Sequence, residues 1–333
     1  MNPEEIRRIA ESIADRLAGG GGVSANAPAP LATAAPSSSA DGIFANVDDA
    51  IKAARAGFIA LSALGLEQRK LIIESMRVEM RRQAEPLARM ANEETGLGRF
   101  EDKVQKNLLV TNKTPGTEDL SPIAHSGDDG FALIEPAPFG VIGAITPVTN
   151  PPSTIICNAI AMVAAGNAVT FNPAPGAKRV SAETIRCLNR AIVAAGGPAN
   201  VLTAVAEPTI ESATALMKHP LTRLIVVTGG PGVVQAAMNS GKRAICGGPG
   251  NPPAVVDPTA DIDKAGRDIV LGHSFDNNVI CVDEKEVICV DSVADSLKAA
   301  MKRNGAVELK AADIPRLEKV IFEKNAGPRG HAV

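Results

Sequence analysis

With 333 residues, 45% hydrophobic and 21% charged, the chain can bury a sizeable core and build two ordinary domains. Eight Phe, no Tyr and no Trp deny it the stacking platforms that single-stranded nucleic acid requires, and a net charge of −3 attracts no polyanion. No apolar run approaches the ~18 residues of a membrane span. Five scattered cysteines (157, 187, 246, 281 and 289) with no secretory leader read as reduced thiols of a cytosolic mixed α/β protein.

The first eighteen residues read as an amphipathic helix. Ile6, Ile9, Ile13 and Leu17 form its apolar stripe, with Glu4, Glu5, Arg7, Arg8, Glu11, Asp15 and Arg16 between them. A helix this short is marginal alone in water, so the stripe needs a surface to bind. Residues 19–40 are almost all Gly, Ala, Pro and Ser and read as a flexible tether. Such a leash suits a helix that binds in trans. From 41 to about 109 the pattern is helical throughout: one stretch begins at Val47, Ile51 and Ala54, another continues through Leu71, Met76 and Met80, and Gly96 and Gly98 close a third. Residues 111–126 are polar, with Pro115, Gly116 and Pro122, and read as an exposed connection or arm.

Beyond Gly130 short β-branched runs alternate with Ala-rich helical segments. Strands are expected at 141–145, 168–171, 201–205 and 224–227, with helices at 155–165, 181–195, 210–218 and 233–238. This alternation predicts βαβ units and a parallel sheet, with ligands at the carboxyl ends of its strands. A second set follows Asn251, with strands at 254–256 and 286–290 and helices at 261–271 and 293–302.

Two places could carry chemistry. The loop Thr228-Gly229-Gly230-Pro231-Gly232 opens a helix whose N-terminal N–H groups would suit a phosphate, yet Gln235 stands where a dinucleotide fingerprint has its third Gly. A plain turn and a cofactor contact both fit it. Cys281 follows Asp276-Asn277-Asn278, polar company for a thiol, whereas Cys157, Cys187 and Cys289 have the surroundings of buried small hydrophobes. A site and a structural thiol both remain open for Cys281. Gly272-His273-Ser274-Phe275-Asp276 lacks the last Gly of a nucleophile elbow, which makes a serine hydrolase a poor alternative. The histidines at 125, 219, 273 and 331 have no ligand spacing, and no catalytic metal is expected.

Taken in order, Ile145-Thr146-Pro147-Val148-Thr149-Asn150-Pro151, then Ala164-Ala165-Gly166-Asn167-Ala168, Pro175-Gly176-Ala177-Lys178 and residues 274–285 resemble aldehyde dehydrogenases. More narrowly, they resemble the CoA-acylating aldehyde dehydrogenases of bacterial microcompartments that degrade propanediol or ethanolamine. The likeness runs from about Asp41 to the end, and residues 1–18 resemble the encapsulation peptide through which such enzymes meet shell proteins.

The resemblance implies an α/β fold with a Rossmann-type, parallel-sheet NAD-binding domain over 41–250, an oligomerisation arm near 114–135 and a second α/β catalytic domain over 251–333. It implies Cys281 as the nucleophile, with Asn150 and the backbone N–H of Cys281 as the oxyanion hole. NAD would lie against Thr146, Pro147, Asn172, Pro173, Thr228, Gly229, Gly230, Gly232, Gly247 and Gly248. Cys246-Gly247-Gly248-Pro249-Gly250-Asn251 lacks the glutamate that activates water in hydrolytic members, which leaves the thioester to coenzyme A. Asn172 stands where a ribose-binding lysine is usual, so the choice of NAD or NADP is not legible there. The expected reaction takes propionaldehyde or acetaldehyde, CoA and NAD to acyl-CoA and NADH in a microcompartment lumen, in a homo-oligomer when full length. Family members continue well beyond the position of Val333, so the catalytic domain is expected to be incomplete here. A non-CoA dehydrogenase releasing free acid and an inactive shell-associated fragment are the alternatives.

Overall fold

The computed structural model describes residues 41–321. The expected amphipathic helix and tether, over 1–18 and 19–40, lie outside them. The described chain is a mixed α/β structure with a six-stranded, all-parallel sheet. Its strands are β1 (Ile43–Phe44), β4 (Val141–Thr146), β5 (Ala168–Pro173), β6 (Leu202–Val205), β7 (Thr222–Thr228) and β8 (Ala244–Gly247), in the order β1-β6-β5-β4-β7-β8. Every residue of β4, β5 and β6 is buried, as expected for parallel strands covered on both faces.

The helices are α1 (Val47–Ser62), α2 (Leu66–Thr95), α3 (Phe100–Lys113), α4 (Pro151–Ala164), α5 (Lys178–Ala194), α6 (Ile210–Lys218) and α7 (Pro231–Met238). Ile51, Met76, Ile156, Leu188 and Phe171 belong to the main core cluster, which joins α1, α2, α4 and α5 to the sheet. Ala213, Met217, Ile225 and Ala237 form a smaller cluster involving α6, β7 and α7. Local chemistry sets the helix ends. Asn46 caps α1 by accepting the Asp49 N–H at 2.9 Å, and Thr209 with Ser212 forms a reciprocal capping box on α6.

After Asn251 a second, two-stranded parallel sheet pairs β9 (Pro253–Val256) with β10 (Glu286–Cys289). Helices α8 (Ile262–Ser274) and α9 (Asp291–Arg303) pack beside it around Val256, Ile269 and Leu297, and α10 (Ile314–Ile321) follows. Between α3 and β4 an antiparallel hairpin, β2 (Ile123–Gly127) and β3 (Gly130–Ile134), exposes every residue, Ile123, Phe131 and Leu133 among them.

Several local expectations are corrected. The segment from 41 is not helical throughout: Ile43–Phe44 is an edge strand on β6, two residues being too few to show a period. The second and third expected helices are one, because α2 runs through Pro86 and stops at Gly96, which is left-handed at φ 67°. Thr111 is helical, since α3 extends to Lys113. Residues 244–247 form a strand on β7, hidden by their glycine-rich context. Of the three cysteines read as buried, only Cys187 is; Cys157 and Cys289 are half-exposed.

Candidate active site

In the order β6-β5-β4-β7-β8 the chain leaves β4 first to one side and then to the other, which opens a crevice at the carboxyl ends of the strands. A cavity of about 560 Å³ occupies this place. Thr146 and Pro147 line it from the end of β4, Asn172 and Pro173 from β5, Thr228 from the end of β7 with Gly229 and Gly230 in the turn after it, and Gly248 and Gly250 from the segment after β8. Asn150 and Cys281 line the same cavity. Of the residues expected here, Gly232 and Gly247 do not: Gly232 lies in the first turn of α7, and Gly247 pairs with Thr228 at the end of β8.

Cys281 is half-buried and is reached through an unusual loop. Asp276, Asn277 and Asn278 take consecutive positive φ values of 46°, 54° and 59°. Asx residues tolerate that region better than other side chains, and three in succession persist only where the surroundings hold them. Several contacts do so. Lys285 donates to Asn278 Oδ1 at 2.6 Å and to the Ile280 carbonyl at 2.9 Å, and Asn278 Nδ2 donates to the His273 carbonyl at 2.7 Å. Asp276 is wholly buried. Its Oδ1 accepts the Arg99 N–H at 2.6 Å, and its own N–H donates to Asp102 at 2.8 Å. On the far side, a Cβ at Gly250 would overlap the carbonyl oxygen of Cys281, so that glycine permits the backbone approach.

Asn150 is the N-cap of α4, yet its side chain makes no capping bond. Pro151 and Pro152 remove two N–H groups from the first turn, and Nδ2 turns instead to Thr149 Oγ1 at 3.0 Å. Oδ1 accepts from Lys106 Nζ at 2.6 Å. The same ammonium pairs with Asp276, as does Lys103 at 3.2 Å. Burial pulls Lys106 below the ordinary lysine range, against the opposing pull of Asp276. Burial likewise raises Asp283, whose Oδ2 has no partner.

Sequence reasoning missed Lys103 and Lys106, and took Asp276 only as polar company for Cys281. The signal was present but inverted: the buried residues of α3 are Lys103, Lys106, Asn107 and Thr111, a helical stripe of polar side chains facing inward. Asn172, by contrast, is tied down by Ser212 Oγ at 2.5 Å and serves as wall. Among the described residues no group of His, Cys, Asp and Glu could hold a metal, and no helix is long and apolar enough to cross a membrane.

This arrangement places a thiol, an amide and two glycine-bearing turns around one crevice. Among the described residues that line it, none is a carboxylate.

The chain matches the aldehyde dehydrogenase family over residues 28–316. It is 51% identical over 282 residues to the acetaldehyde dehydrogenase (acetylating) of Bilophila wadsworthia, covering 84% of this chain and 58% of that protein. The chain thus spans under two thirds of that curated relative's length. It superposes with a TM-score of 0.81, at 46% identity, on a propionaldehyde dehydrogenase from the fucose utilisation microcompartment of Clostridium phytofermentans, covering 87% of this chain and 66% of the other. A propionaldehyde dehydrogenase of Rhodopseudomonas palustris, solved with bound CoA and an acylated cysteine, gives the same TM-score and identity, with coverages of 86% and 66%.

Proposed function

Since the chain belongs to the aldehyde dehydrogenase family, we propose that the protein oxidises a short-chain aldehyde, propionaldehyde or acetaldehyde, to its acyl-CoA through a thioester on Cys281. The observation that carries this reading is the convergence of Cys281 and Asn150 on one cavity with no carboxylate in its described lining.

The Cys281 thiolate adds to the carbonyl carbon and moves the π electrons onto oxygen. The Asn150 amide and the Cys281 backbone N–H receive that oxyanion, beside the positive end of α4. NAD, when bound, supplies the acceptor for the hydride that leaves the same carbon. Its phosphates suit the N-terminus of α7, where a Cβ at Gly230, the N-cap, or at Gly232, in the first turn, would meet nothing within 4 Å, so the backbone is open to approach. Asn172, Pro173, Thr146 and Pro147 line the same cavity. The thioester then lacks a carboxylate base to activate water in this part of the cavity, which leaves CoA. Its thiol enters as the thiolate, having given its proton to solvent, and forms the new C–S bond of acyl-CoA at the carbonyl carbon. The bond to Cys281 breaks, and Cys281 departs as a thiolate. Names of relatives that include an acetylating enzyme and a CoA-bound propionaldehyde dehydrogenase support this substrate class.

Residues 1–18 would deliver the enzyme to microcompartment shell proteins, and the exposed β2–β3 hairpin would serve as an oligomerisation arm. NADH formation by the full-length protein, with and without CoA, tests the reaction. Dependence on CoA supports it, and equal rates without CoA favour a dehydrogenase releasing free acid.

A further inference from the structure

We propose that Lys106 is a positioning residue: its buried ammonium, anchored on Asp276, fixes which end of the Asn150 amide faces the substrate oxygen. The inference rests on Asn150 serving as an oxyanion donor.

An asparagine amide has an acceptor end and a donor end of nearly equal size, and only its partners decide which points where. Asn150 has two side-chain partners. Thr149 Oγ1, at 3.0 Å from Nδ2, is a hydroxyl that donates or accepts equally well, so it does not discriminate between the two orientations. Lys106 does. An ammonium has donors and no acceptor, so the 2.6 Å contact admits only Oδ1 and commits Nδ2 to the other side. The α4 backbone gives no competing bond, since the N-cap side chain is not used there.

Lys106 is itself held. It belongs to the inward polar stripe of α3, and its side chain is 8% exposed beside a wholly buried Asp276. Asp276 also takes the ammonium of Lys103 and the N–H of Arg99, so the carboxylate is fixed from three directions. It lies five residues before Cys281, at the start of the left-handed loop. One ammonium therefore ties the loop of the nucleophile to the amide that would stabilise its adduct. Buried charges of this kind are costly, and a buried apolar side chain on α3 would fill the space without the network. The placement makes sense as geometry for the reaction.

The test is a double-mutant cycle in the full-length enzyme. Acylation of Cys281 by propionyl-CoA is followed in a single turnover, and alkylation by iodoacetamide, which forms no oxyanion, reports thiol access. Lys106→Met should slow acylation about 30-fold while alkylation stays within about 2-fold, and it should add no further loss on the Asn150→Ala background. Lys106→Gln keeps a donor for Oδ1, so it should give a smaller loss with the same pattern, and it carries the test if the Met variant does not fold. Equal losses in both backgrounds, or alkylation falling in parallel with acylation, would overturn the role of Lys106. A slow Asn150→Ala beside a fast Lys106→Met would overturn it too. Full activity in Asn150→Ala would instead remove the oxyanion reading on which it rests.

Discussion

Gly250 lies so close to Cys281 that a Cβ on the glycine would occupy the place of the cysteine's carbonyl oxygen. The glycine-rich segment after β8 is thus shaped by the backbone of the nucleophile. A side chain at 250 must displace the Cys281 backbone or the glycine segment itself, and either shift moves the nucleophile relative to the cavity. Gly250→Ala should therefore lower NADH formation about 100-fold in the full-length enzyme. Gly65→Ala, at a position where nothing lies within 4 Å, should leave the rate unchanged. Equal rates for both variants would show that the close approach is not needed.

Asp283 gives a prediction in pH. Burial raises its carboxyl, and Oδ2 has no partner, so the native state holds this proton more tightly than the unfolded chain does. In the unfolded chain an aspartate titrates near about 3.9. The group's contribution to stability is therefore complete below that value and is lost as pH rises through the raised native one. Asp283→Asn removes the charge. Its urea midpoint should exceed that of the native sequence at about pH 7, with the gain shrinking toward about pH 4. A variant that is less stable at neutral pH would mean that the ionised carboxylate has a partner in the native state.

The parallel sheet was legible because β4, β5 and β7 are apolar runs separated by Ala-rich helices, and the rule that ligands sit at strand ends then pointed to the crevice. Cys281 stood out by its polar neighbours, though residues alone left it open. Lys106 did not stand out, and Asp276 stood out only as a neighbour of the thiol. Periodicity assumes that the apolar face of a helix turns inward, whereas α3 buries Lys103 and Lys106 and exposes Leu109. Their partners lie 170 and more residues away, at Asp276, and no local pattern encodes such a pairing. Strands β1 and β8 escaped for other reasons: two residues are too few to show a period, and β8 runs directly into Gly247 and Gly248, which read as a loop.

The N-terminal stripe is tested apart from the enzyme. Fused to a fluorescent protein and co-expressed with shell proteins, residues 1–20 should direct the fusion into microcompartments. Four large aliphatic side chains each contribute about 1.5–3 kcal/mol when buried, enough to order the helix expected from the sequence only on a complementary surface. Ile9→Asp with Ile13→Asp should release the fusion, and Arg7→Ala should matter much less. A double variant that still co-purifies with shells would show that the stripe is not the recognition surface.

The most direct measurement is the site of acylation. Full-length protein incubated with propionyl-CoA and analysed as intact mass and as peptides should carry one acyl group, on Cys281. Cys281→Ser should carry none and form no NADH from aldehyde, because an alcohol lacks the nucleophilicity of a thiolate, while Cys157→Ser and Cys289→Ser should behave as the native sequence. An acyl group on Cys246, or NADH formation that survives Cys281→Ser, would contradict the assignment of Cys281 as the nucleophile.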